Sequence, residues 1–175
     1  MFFSNRKSNF IYSLSNCSIQ AIGSNINLLD SYLEYNKLVS DLLEDQIVLE
    51  MMDYIQHGST TCYQHCVNVS YYSYKIAKKF NLDTRSIARA ALLHDLFLYD
   101  WHKEKPVKQL FKKHGFTHPQ TALNNATKYF NLNAKEKDII LKHMWPLTLK
   151  LPKYKESYIV MLVDKYCCLL ESLLS

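Results

Sequence analysis

Three glycines and four prolines in 175 residues leave this chain short of the two residues on which tight turns depend. A fold of many hairpins is thereby disfavoured, and long helices are the economical use of such a composition. The scarcity also excludes a nucleotide site built on a glycine-rich phosphate loop, which needs several glycines at fixed spacing. Long apolar runs are missing too. The longest near a helix centre, Ile159 to Val163, is closed by Asp164 and Lys165, far short of the ~20 residues a bilayer span requires. The opening MFFSNRKSNF lacks the apolar core of a secretory signal, so a cytoplasmic protein without a membrane partner is expected. The cysteines are odd in number, five, and the neighbours Cys167 and Cys168 cannot comfortably bridge each other on a helix. Reduced thiols are expected.

Against these shortages stands 48% hydrophobic residues with 21% charged ones, enough for one domain that buries roughly 70% of its unfolded surface. The expected fold is an all-α, single-domain helical bundle over residues 25–175, preceded by a Ser- and Asn-rich arm at 1–24 that carries no chemistry. A net charge of +5 favours anionic partners but is too mild to single out nucleic acid over a small phosphorylated substrate. The tyrosines at 71, 72, 74 and 99 fall on or beside core helices without the stacking motifs of single-strand binders, and packing accounts for them.

From Ile26 to about His57 the leucine pattern predicts two helices, broken near Ser40 with Asp41 as cap. Gly58 is expected to close the second, with Ser59 or Thr60 capping a helix that runs to about Phe80. On that helix His65, Val69, Tyr72 and Ile76 share a face, so His65 points inward. Asp83 or Thr84 caps a central helix at Ser86 to Phe97, in which Ile87, Ala90, Ala91 and His94 follow the i, i+3, i+4, i+7 spacing of a buried stripe. The alanines at 88, 90 and 91 permit close helix approach. Pro106 is expected to open a short helix ending near His114.

The run Thr117 to Gln120 reads as a capping box that puts His118 at a helix N-terminus, where the dipole keeps the ring neutral. Asn133 and Glu136 form a second such box, opening a helix whose Ile139, Ile140 and His143 end before Pro146. A last helix, about Lys153 to Leu174, buries Val160, Met161 and Cys168 and sets Asp164 among them. Five elements therefore aim His65, His94, Asp95, His118, His143 and Asp164 inward. An Asp beside a His at the end of an apolar stripe is costly to bury unless something satisfies both, which a divalent cation does. Mixed imidazole and carboxylate donors suit Fe, Mn, Zn or Co. A zinc site built from Cys62, Cys66, Cys167 and Cys168 is the weaker alternative, since cysteines one turn apart usually pack.

The ordered pattern H…HD…H…H…D over about residues 57 to 168 resembles the HD-domain superfamily of metal-dependent phosphohydrolases. The resemblance implies an HD-type helical bundle in which His65, His94, Asp95 and Asp164 hold one metal. His118, in an HP context, and His143 match the additional histidines of branches that bind a second ion, with Asp95 bridging. It further implies hydrolysis of a phosphoester or phosphoanhydride, in a nucleotide or other small phosphorylated metabolite, by metal-activated hydroxide, with Asp95 and His94 as catalytic residues. His57, Lys103, Lys105 and Lys108 are candidates for the phosphate side of the pocket. His143 is followed by Met144, Trp145 and Pro146 rather than by the Gly-Tyr-Pro element of the branch that degrades cyclic dinucleotides, which sets that substrate aside. The rival expectation is a non-catalytic HD domain that binds metal and a nucleotide or partner as a sensor.

Overall fold

The computed structural model of the protein describes residues 25–103 and 114–173, apart from the side chains of 25–29 and His57. The arm at 1–24 and the helix expected from Pro106 lie outside the described residues. The chain divides into two units, Met1–Leu33 and Glu34–Ser175, and the packing and the site described below are those of the second.

Helix α1, Asn25–Leu43, runs through Ser40 and Asp41 without the expected break. Its Tyr35, Val39 and Leu42 are buried at i, i+4 and i+7, and this stripe carries the helix across the polar pair. Asp41 is not a cap, because its carboxylate takes Arg89 Nη1 at 2.6 and 2.8 Å. The break falls at Glu44–Asp45, where Asp45 Oδ1 accepts from the Ile47 amide and caps the short α2, Gln46–Leu49. A 3-10 turn at Glu50–Asp53 leads to a hairpin that the sequence reading missed, β1 (Ile55–His57) against β2 (Thr60–Thr61), antiparallel. Gly58 makes the hairpin turn rather than a helix end, at φ 54°, a conformation that costs a residue without Cβ little.

Helix α3, Cys62–Lys79, is capped by Thr61 rather than Ser59 or Thr60: Thr61 Oγ1 accepts from the Gln64 amide, and Gln64 Oε1 accepts from the Thr61 amide. Helix α4 spans Thr84–Leu92 with Asp83 as its cap. It stops short of the expected Phe97, so His94 and Asp95 ride a buried turn just past its end. Helix α5, His114–Tyr129, is already helical before Thr117, and the expected capping box does not form. Thr117 Oγ1 donates back to the His114 carbonyl, and Gln120 bonds Asn124 instead. His118 therefore lies inside the helix, and the dipole argument for it fails. Helix α6, Ala134–Lys142, has the expected Asn133–Glu136 box, and α7 spans Lys155–Leu173. On α7 the fully packed thiol is Cys167, while Cys168 is half-buried.

Helix α3 packs on α4 and α7, α4 also meets α6, and α6 bridges α5 to α7. Ala88, Ala90 and Ala91 are fully buried, and Ser70 on α3 donates its hydroxyl to the Ala88 carbonyl at 2.7 Å, which fixes how closely the two helices lie. Ile87, Leu92, Leu93, Leu96, Ile139 and Ile140 close the core, each worth about 1.5–3 kcal/mol of burial. The Lys78–Glu34 pair is half-exposed and screened by water, so it contributes little beside that packing. Among the described residues no helix is long and apolar enough to cross a membrane.

Candidate metal centre

All six residues singled out above meet in one place. His65 comes from α3, His94 and Asp95 from the turn after α4, His118 from α5, His143 from the C-cap of α6 and Asp164 from α7. None is more than 4% exposed. At that depth an ionised carboxylate costs several kcal/mol unless it is paired, so two aspartates here demand positive charge. Four groups place their donor atoms within 4.8 Å of one another: His65, His94 and Asp95; His94, His143 and Asp164; Asp95, His118 and His143; and His65, Asp164 and Cys168.

The tautomers follow from the backbone. His94 Nδ1 donates to the Ala91 carbonyl at 2.7 Å, His143 Nδ1 to Ile140 at 2.8 Å and His118 Nδ1 to His114 at 2.8 Å. A carbonyl can only accept, so each ring carries its proton on Nδ1 and offers Nε2 to the cluster. Asp95 stands between them. Its Oδ1 lies 3.3 Å from His118 Nε2 and 3.5 Å from His143 Nε2, while Oδ2 lies 3.5 Å from His94 Nε2. Asp164 Oδ1 lies 3.1 Å from His65 Nε2 and 3.6 Å from His94 Nε2. His94 Nε2 and Asp95 Oδ1 are nevertheless buried without a hydrogen-bond partner. Buried acceptors left facing one another are what ligands for a cation look like, and the residues present fit a divalent ion.

Charge is redistributed accordingly. Burial pushes the Asp95 carboxyl up, but His94, His118, His143 and His65 bring it down to about 2. Burial also opposes ionisation of Asp164, which His65 and His94 overcome, holding it well below the usual carboxylate range. For His65 and His94 burial works against the charged ring, yet the carboxylates beside them lift both well above the ordinary imidazole value. Burial, then the charge of His94, holds His143 down at about 3.

Four contacts escaped the sequence reading. Gln56, from the missed hairpin, donates Nε2 to Asp95 Oδ2 at 2.6 Å, and its own Oε1 is buried without a partner. Glu171 Oε2 takes His65 Nδ1 at 2.8 Å. Cys62 Sγ donates to the Asp95 carbonyl at 3.3 Å, and Cys66 Sγ lies 3.6 Å from His94 Nδ1, so these two thiols back the His-Asp turn rather than build a four-cysteine zinc site. Only a preceding hairpin would have flagged Gln56, and only the seven-residue step from Asp164 could have flagged Glu171. Of the proposed phosphate contacts, Lys103 stands exposed with its ammonium 2.9 Å from Asp100 Oδ2. His57 lies on β1 with its side chain outside the description, and Lys105 and Lys108 lie outside the described residues.

The HD domain family matches residues 62–168, from the first turn of α3 to the fourth residue after Asp164. No curated protein and no solved structure matches the chain.

Proposed function

The chain belongs to the HD domain family, and from that premise we propose that it is a metal-dependent phosphohydrolase. Its substrate is a phosphoester or phosphoanhydride in a nucleotide or another small phosphorylated metabolite. His65, His94, Asp95 and Asp164 would hold one divalent ion of the Fe, Mn, Zn or Co kind. Asp95, His118 and His143 would hold a second, with Asp95 shared. Such ions, when bound, lower the pKa of coordinated water and neutralise charge on phosphoryl oxygens.

The chain's own residues supply orientation. Backbone carbonyls fix the rings of His94, His118 and His143, so their Nε2 atoms are turned into the cluster before any ligand arrives. Gln56 holds one oxygen of Asp95 and leaves the other free for the His118 and His143 side. The observation that carries this reading is Asp95 itself: one buried carboxylate whose two oxygens address two different sets of imidazoles.

Metal analysis of the purified chain, paired with hydrolysis assays over a panel of nucleotides and phosphoesters, tests it. Metal-dependent turnover that is lost in Asp95→Ala while the helical fold persists is expected. Bound metal with no turnover across the panel identifies a sensor instead, and a protein that takes up no metal overturns both.

A further inference from the structure

Asp164 and Glu171 lie seven residues apart on α7, two helical turns, and so share a face. Across the α3 interface they take opposite nitrogens of one imidazole. Asp164 Oδ1 is 3.1 Å from His65 Nε2, and Glu171 Oε2 is 2.8 Å from His65 Nδ1. Glu171 is itself held, because its Oε1 accepts from Asn68 Nδ2 at 3.2 Å. Asn68 follows His65 by three residues on the same face of α3, so the three side chains close a ring between the two helices. The Glu171 side chain is only 10% exposed, which separates it from a solvated surface carboxylate. His94, His118 and His143 rest their Nδ1–H groups on main-chain carbonyls of their own segments. His65 rests its on a carboxylate from another helix.

We infer that Glu171 is a positioning residue for His65. By accepting the Nδ1 proton it fixes the ring's orientation, leaves Nε2 on the side of Asp164 for an ion and makes the ring a stronger donor. Asn68 keeps Glu171 at that station. The inference rests on the reading of His65 as a metal ligand, and it makes the far end of α7 part of the ion-binding apparatus.

Cobalt(II) titration of the chelator-stripped full chain tests it, with affinity read by competition against a fluorescent chelator. Proton NMR of the loaded protein reads the hyperfine-shifted Nδ1–H of His65. In Glu171→Gln, which keeps the volume and loses the charge, cobalt affinity is expected to fall about 10- to 100-fold. The His65 Nδ1–H signal is expected to broaden through faster exchange with water. Asn68→Ala, which leaves Glu171 in place but unsupported, is expected to show the same changes in smaller measure and serves if Glu171→Gln does not fold. Wild-type affinity and an unchanged Nδ1–H signal in both variants would overturn the inference while leaving the metal reading intact. A wild-type chain that binds no cobalt would overturn both.

Discussion

His118 and His143 bring their Nε2 atoms within 2.8 Å of each other, although each ring has already given its Nδ1 proton to a carbonyl. Two such nitrogens hold that distance when one carries a second proton and donates it to the other, or when a cation stands beside both, and the oxygen of Asp95 that faces the pair suits either charge.

Stoichiometry follows from this pair. The wild-type chain is expected to hold two equivalents of a divalent transition metal, and His118→Ala or His143→Ala about one. Inductively coupled plasma mass spectrometry after exhaustive dialysis reads the count. Retention of two equivalents in both variants would rule out the second ion position.

The ligand-type residues were legible because helical periodicity exposes them. His65 shares a stripe with Val69, and His143 continues Ile139 and Ile140, so an imidazole stands where an aliphatic side chain is due. His94 follows the same stripe even though the helix ends two residues earlier. His118 was legible for a wrong reason, a cap that does not form, and its inward position comes instead from the register of α5. What could not be read was tertiary. The hairpin has five residues in strands, too few for alternation to register, and its Gly58 looks like a helix stop. The break after α1 was misplaced because Asp41 has the chemistry of a cap but finds Arg89, 48 residues away.

Gln56→Ala is the direct test of the hairpin's role. It frees Asp95 Oδ2 from its 2.6 Å hydrogen bond and is expected to destabilise the protein by about 1–3 kcal/mol through the unsatisfied buried oxygen. Metal affinity is expected to fall about tenfold or more. Urea unfolding and chelator competition give the two numbers, and unchanged values in both would remove Gln56 from the site.

Acid should loosen the α6–α7 packing. Burial pushes the Asp138 carboxyl up, but Lys142, the Lys153 amide and the Ser157 hydroxyl together hold it below its ordinary value. Burial likewise opposes Glu156, which Lys135 overcomes. A carboxyl whose folded pKa is depressed contributes stability above its unfolded pKa and loses it as pH falls toward the folded value. The urea midpoint of the metal-free chain is therefore expected to drop from about pH 7 to about pH 3, and Asp138→Asn to shrink that drop. An equal drop in the variant would refute the assignment.

Helix spacing sets the site's dimensions. Ala90→Leu adds bulk at a fully buried position of α4, and it is expected to cost about 1–3 kcal/mol. Because the turn bearing His94 and Asp95 begins three residues later, metal affinity is expected to fall with it. A variant of wild-type melting temperature would show that the close approach of α3 and α4 has slack.

Glu171 and Gln56 flank the His65-to-Asp164 span on either side, and neither is one of the letters by which that span is recognised. Two chains could therefore spell the same metal-binding pattern and still differ widely in how firmly they grip an ion. Evolution could tune such a protein to scarce or abundant metal without touching the pattern at all, and an inventory of its letters would record no change.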